Sequence, residues 1–348
     1  MSDAGIANSG AAAAANLAPL TADTLDPNTF DPLVPRVAQQ AIARSPIRFP
    51  WQPRVLPLGM FFRSAATGPN SGTGNPFASQ SAFDAQSLDI TPVVFTAYDG
   101  CGSFRSSEVM SSSASTDHLS VGVGVGVDLV ILEASVSVHY DRDVTENRDS
   151  NKASVMTSYR AGSVAFVRPP ELSADAFNIL HDRGIDEFKS VFGDYYVGGY
   201  RIGADASVLL STDSSSRNET ETKSVKITVE TWFDSYSEEE YTSSTSRERH
   251  AEVHLSAFSS IEQLLIVRTV QMETPEFQAL LKQGRGIHQR AQGLEDQVAK
   301  VLQDVGVREG KSLTPGQCAQ LCERAVVVEL LLIPVECIRQ VRYWTIAL

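Results

Sequence analysis

The feature that most limits how this chain can fold is a ribbon of alternating small and branched residues at 119–140. Val121, Val123, Val125 and Val127 alternate with Gly122, Gly124 and Gly126; beyond them Ala134, Val136 and Val138 alternate with Ser135, Ser137 and His139. A period of two places each set on one face, so the stretch reads as a long β-strand with a change of phase between Asp128 and Glu133. Its glycines leave one face nearly bare, and glycine in a strand marks a bend, a bulge or the close approach of another backbone. The G-x-G-x-G spacing is not a dinucleotide fingerprint, because that motif turns into a helix and these valines continue as a strand.

The surrounding segments fit the same architecture. Asp141, Arg142, Asp143, Glu146, Arg148, Asp149 and Lys152 form a charged insert after the ribbon. A strand is predicted at 155–167, stopped by Pro169 and Pro170. Ser173 is an N-cap candidate for a helix reaching Val191, with Phe177, Leu180, Phe188 and Val191 as its apolar side and Gly184 as a break. The run Phe192-Gly193-Asp194-Tyr195-Tyr196 follows, then Gly198, Gly199 and Gly203, leading into a strand at 202–210. Val225, Ile227, Val229 and Phe233 share one strand face, a polar tip spans 234–250, and Val253 and Leu255 return on the other arm. Two alternating arms around a solvated tip predict a hairpin. Farther on, 264–270 reads as a short buried strand, Thr274-Pro275 as a helix start, 289–305 as an amphipathic helix, and Thr314-Pro315 as another helix start. The segments 326–333 and 338–346 read as closing strands, and 56–62 as a short edge strand. Strands with inserted helices, lacking a regular βα alternation, make an α+β fold.

Composition narrows the function classes. The 348 residues carry 29 Lys+Arg against 42 Asp+Glu, a formal charge of −13. That balance argues against nucleic-acid partners, since no broad positive field attracts phosphates. Residues 1–45, rich in Ala, Ser, Asp and Pro, are expected to form a mobile leader before one domain at 46–348, with its core at 93–260 and helices and closing strands at 261–348. Met1-Ser2-Asp3-Ala4-Gly5 has no basic n-region, and no apolar run reaches 18 residues, so a cytoplasmic location or leaderless release is expected. Cys318 and Cys322 share a helix while Cys101 and Cys337 stand alone; with no zinc spacing, inert thiols are expected, and no metal or cofactor. No nucleophile elbow, P-loop, zincin or kinase pattern is present, so no catalytic residue is expected. His181, His250 and His254 are scattered, Asp141 and Asp143 belong to the charged insert, and Glu238, Glu239 and Glu240 read as a solvated run.

The stretch at 93–260 resembles the membrane-attack-complex/perforin (MACPF) superfamily. Its signature is an aromatic, Gly, Thr or Ser, His, then Tyr or Phe, entered from a helix and left by a strand. Phe192, Gly193 and Tyr196 match; Asp194 and Tyr195 replace the hydroxyl residue and the histidine, either as functional substitutes or as a packing variant. The resemblance implies a bent, twisted antiparallel sheet of about four long strands flanked by helical clusters. It implies that Gly198, Gly199 and Gly203 let the sheet bend, the alternative being ordinary turn glycines. In pore-forming members two inserts extend as β-hairpins and copies join edge to edge. That implies self-association, action at a membrane surface, and, with no accessory domain in view, a separate lipid-binding partner protein. The single-domain layout is similar to fungal members, some tied to sporulation. A spanning strand needs about 9–11 residues with one apolar side. The insert at 141–152 fails that test, whereas the arm carrying Val225, Ile227, Val229 and Phe233 comes closer. The competing expectation is a non-lytic binding or structural protein that keeps the sheet without spanning hairpins.

Overall fold

The computed structural model describes residues 46–51, 54–67, 75–98, 105–109, 151–212, 252–271, 274–291 and 293–347. The ribbon at 119–140, the leader, Cys101, His250 and the arm with Val225, Ile227, Val229 and Phe233 lie outside them. The strands, in chain order, are β1 (Ile47–Pro50), β2 (Phe61–Phe62), β3 (Val93–Ala97), β4 (Arg105–Val109), β5 (Asn151–Phe166), β6 (Tyr195–Thr212), β7 (Glu252–Ser259), β8 (Leu264–Gln271) and β9 (Val327–Pro334). The helices are α1 (Ala85–Ile90), α2 (Ala174–Val191), α3 (Pro275–Ala291), α4 (Leu294–Val305), α5 (Pro315–Glu323) and α6 (Arg339–Ala347).

Among the described residues nine strands, not four, form one antiparallel sheet. Strand length explains the difference. The 18 residues of β6, at about 3.3 Å each, span roughly 60 Å. No single neighbour covers that length. On one side β9 pairs with the first part of β6 and β7 with the last; on the other side lie β2 and then β5. The far edge of β5 is likewise divided between β3 and β4. β1 pairs with β9, and β8 pairs with β7. The run β4–β5–β6–β7 is a sequential meander.

Helices cover the sheet on both faces. α3, α4 and α5 bring Phe277, Leu280, Val298 and Leu321 into one core cluster with Tyr200, Ile202, Ala204 and Leu332. α2 and α6 bring Leu180, Phe188 and Val341 into a second with Phe61, Phe83 and Tyr196. Burying each such large side chain contributes about 1.5–3 kcal/mol. The helix starts follow the sequence: the Ser173 hydroxyl accepts from the Ala176 amide at 3.2 Å, Thr274 accepts from Phe277, and Thr314 with Gln317 forms a capping box.

Several expectations are corrected. Residues 339–346 of the expected closing strand are helical, because Val341 and Trp344, three apart, turn to the same core. The 289–305 helix is two helices, with α4 starting after Gly293. Phe177 and Val191 are exposed, and Leu180 and Phe188 carry the buried side of α2. The predicted buried strand β8 pairs only with β7 among the described residues and is largely open, with Val267 at 43% exposure. Only Phe61 and Phe62 of the 56–62 segment form a strand. Val253 and Leu255 lie in β7, between β6 and β8; the 225–233 arm expected to pair with them lies outside the described residues. Lastly, Lys152, expected in the charged insert, belongs to β5, while the ribbon and the rest of 110–150 lie outside the described residues.

Candidate functional site

Between Ile202 and Ala206, β6 exchanges one neighbour, β9, for another, β7. Two irregularities meet beside that exchange, and a third lies four residues before it on β6. Ala161 is the extra residue between the pairs Arg160–Gly203 and Gly162–Ile202. Gly198 is extra between Val197–Leu332 and Gly199–Leu331, and Val328 is extra between Arg201–Glu329 and Ile202–Val327. A bulge bends its strand and raises the local twist. Glycine is required at Gly203, where a Cβ would sit 2.1 Å from the Tyr159 carbonyl oxygen; at Gly199 it would sit 2.7 Å from that of Val164.

The waist of the sheet holds a buried charge cluster. The Arg160 guanidinium grips Asp205 with two bonds, Nη1 to Oδ1 at 2.6 Å and Nη2 to Oδ2 at 3.0 Å. Its Nη2 lies 3.8 Å from Glu329 Oε1, and Arg201 Nη1 donates to Glu329 Oε2 at 3.1 Å. Arg160, Asp205 and Glu329 are all buried. Burial alone would lower the Arg160 pKa; the carboxylates of Asp205 and Glu329 outweigh it and hold the guanidinium above its ordinary value. Arg201 also lies over the Tyr98 ring at 5.7 Å. Asp205 and Ser260 tie the strand to the turn after β7: the Ser260 amide donates to the Asp205 carbonyl and the Asp205 amide to the Ser260 hydroxyl, both at 2.8 Å.

At the other end of β6 the five-residue signature closes a corner. Phe192 caps α2, and Gly193 stands at φ +126°, where its α-carbon faces the Phe62 carbonyl. Asp194 accepts from the Ser64 amide at 2.8 Å and from the Ser64 hydroxyl, fixing the 64–67 turn. Tyr195 and Tyr196 open β6, both buried but on opposite faces, one in each core cluster. Burial, with Cys337 nearby, pushes the Tyr196 phenol upward. Phe61 and Phe83 pack against it, Phe83 edge-on at 5.1 Å, and Phe188 and Phe192 lie against Phe61 in turn. Tyr200 donates to the Leu56 carbonyl, and burial raises its pKa as well. Burial and neighbouring Cys322 push the Cys318 thiol up to about 12; burial also raises Cys322. Thiols held protonated are poor nucleophiles.

The sequence-chosen residues thus fall into three places. Gly198, Gly199 and Gly203 lie at the waist, the signature forms the corner, and Val253 and Leu255 sit within the sheet. His181 and His254 are far apart in the chain and bond to Asp182 and Thr269. Arg160, Arg201, Asp205 and Glu329 were not anticipated. Their signal is a lone charge inside an apolar strand, as Glu329 is between Val328 and Leu330. Among the described residues no group of three or more His, Cys, Asp or Glu side chains is placed to hold a metal ion. No described helix is long and apolar enough to cross a membrane, which leaves crossing by strands untouched.

No protein-family description and no curated protein sequence matches this chain. Among solved structures it is similar to a non-hemolytic pneumolysin from Streptococcus pneumoniae strain ST306, at 11% identity over 69% of this chain and 55% of that one, with a TM-score of 0.34. Wild-type pneumolysin matches at 11% identity over 69% and 40%, with a TM-score of 0.27. Suilysin, a cytotoxin protein from Streptococcus suis, matches at 10% identity over 83% and 60%, with a TM-score of 0.31. The chain therefore spans 40–60% of the length of these structures, and the likeness is a loose one of outline.

Proposed function

We propose that the chain acts at membranes by self-assembly through its sheet, with the connections 110–150 and 213–251 entering the bilayer as β-hairpins. One observation carries this reading. In the β4–β5–β6–β7 meander, Val109 lies beside Ser154, Asn151 beside Thr212, and Thr212 beside Val253. The chain therefore enters both 110–150 and 213–251, and returns from them, at the same end of the described strands. Hairpins that extend the existing strands from one end can enter one bilayer together, and strands joined into a closed barrel satisfy every backbone group in lipid.

Length no longer argues against the first connection. Each connection holds roughly 40 residues, against about 20 for two spanning strands. The first contains the valine–glycine ribbon; the second contains Val225, Ile227, Val229 and Phe233 on one strand face. In this reading Gly198, Gly199 and Gly203 are the places where the sheet flexes during assembly, and a lipid-binding partner protein supplies targeting.

Dye release from liposomes, with and without cell extract, tests the proposal, together with electron microscopy for rings or arcs on lipid. Ile227→Lys and Val229→Lys put charge on the lipid-facing side at about 2–4 kcal/mol each near the midplane. They are expected to abolish release while leaving the melting curve of the free protein unchanged. Stable monomers and no release across several lipid compositions would replace this reading with that of a non-lytic binding protein.

A further inference from the structure

A groove of about 560 Å³ runs between β8 and α3, within the roughly 300–1,000 Å³ typical of ligand sites. Its strand wall consists of five consecutive residues, from Leu264 to Arg268. Successive side chains of a strand point to opposite faces. A wall made of both sets runs along the backbone edge and not over one face. Among the described residues that edge has no partner strand, since β8 pairs only with β7. Such an edge presents a row of amide and carbonyl groups ready to pair with another chain. The opposite wall is one face of α3, formed by Lys282, Gln283, Gly286 and Arg290. Gly286 keeps the floor low: a Cβ there would already meet Arg290 Nη1 at 3.2 Å.

The side chains decide what fits. Arg268 and Lys282 are exposed on either wall, and Arg290 is half exposed while bonding Glu262 at 2.7 Å. Leu264, Leu265, Ile266 and Val267 lie between them, Val267 being 43% exposed. Pairing of β8 with β8 of a second copy would bring two cationic rims together, which opposes a two-fold dimer at this edge. A cationic rim around apolar strand residues is complementary to an extended chain alternating apolar and acidic residues. We propose that this groove docks an extended acidic peptide segment of a partner protein by strand addition to β8. Backbone pairing supplies the affinity and the rim charges select the sequence. The proposal does not rest on the membrane reading.

The test uses the full chain and a fluorescein-labelled peptide of alternating Val and Glu, about ten residues long. Saturable anisotropy is expected, with slowed hydrogen exchange at the amides of β8 in the complex. Arg268→Glu with Lys282→Glu, both on the surface, should weaken binding roughly tenfold or more. Gly286→Leu should do the same by filling the groove while leaving the rim charges intact. A sign-inverted Val/Lys peptide should not bind. Absence of binding, equal binding of both peptides, variants that bind as the parent does, or unchanged exchange in β8 would each overturn the proposal. So would phosphatidylserine vesicles binding the parent but not the charge variant in the absence of any peptide binding, which would make the rim a lipid-headgroup site.

Discussion

Replacing Asp205 with Ala removes the carboxylate that Arg160 grips at 2.6 and 3.0 Å. Arg160 stays charged, because a guanidinium cannot be neutralised in a protein. Its side chain is 10% exposed, so water cannot take the place of the lost partner. Glu329 lies 3.8 Å from Arg160 but already serves Arg201 at 3.1 Å. One carboxylate is then left between two cations. Breaking a buried pair from one side costs about 3–5 kcal/mol, and the attraction of Glu329 sets the expectation at the lower end, about 3 kcal/mol. At about 2–4 °C per kcal/mol for a large domain, the Tm should fall by roughly 6–12 °C. Urea unfolding followed by far-ultraviolet circular dichroism, with a thermal melt, measures both. The paired variant Arg160→Met with Asp205→Leu removes both charges and leaves Glu329 to Arg201 alone. It should return to within about 1 kcal/mol of the parent, since apolar replacement of a buried pair is often neutral or stabilising. A loss under about 1 kcal/mol for Asp205→Ala, or a paired variant as unstable as the two single losses added, would refute the reasoning.

Gly203→Ala should cost about 1–3 kcal/mol or more in the same unfolding assay, because its Cβ would meet the Tyr159 carbonyl oxygen at 2.1 Å. Gly184→Ala should also cost about 1–3 kcal/mol although nothing lies within 4 Å of the new Cβ, because φ +84° with ψ 179° is open essentially to glycine alone. Asp194→Ala should destabilise by about 1–3 kcal/mol, because it removes a carboxylate that accepts from both the Ser64 amide and the Ser64 hydroxyl; hydrogen exchange at Ser64 should rise with it. Alkaline pH should destabilise the fold. An unfolded Cys318 ionises near 9, whereas the folded thiol keeps its proton to about 12, so the folded state binds the extra proton in that window. Its contribution is whole below pH 9 and is lost as pH rises toward about 12, and Cys318→Ala should flatten that part of a Tm-against-pH curve.

Helix starts were legible because their cause is local. Ser173, Thr274 and Thr314 each bond an amide three residues on, and three residues are all a sequence reading needs. The apolar run of β8 misled for the opposite reason. Leu264, Leu265, Ile266 and Val267 satisfy the pattern of a buried strand, yet whether a strand is covered depends on what packs beside it, and among the described residues one edge has no partner strand. At 338–346 strand-favouring Val341, Tyr343 and Trp344 pointed to a strand. Helical spacing prevailed, burying Val341 and leaving Tyr343 62% exposed.

The charge cluster shows a further limit and its physical origin. Arg160, Asp205 and Glu329 stand on three strands separated by long stretches of chain, so their pairing follows only from register. That register also explains why charge is tolerated at the waist. Bulges at Ala161 and Val328 interrupt the ladder beside the point where β6 changes neighbours, and a guanidinium placed there has backbone carbonyls within reach. Arg160 Nη1 reaches two of the nearby carbonyls, Tyr159 at 3.0 Å and Ala204 at 3.4 Å, while the same guanidinium holds Asp205. An apolar side chain there would fill the space but bond neither carbonyl. Slipping β5 by one residue against β6 would turn Arg160 to the other face and leave Asp205 buried without its cation. The cluster therefore disfavours wrong registers, and the paired apolar variant, whose Tyr159 and Ala204 carbonyls lose the guanidinium, is expected to fall short of the parent by up to about 1 kcal/mol and to lose some of the uniqueness of its strand pairing.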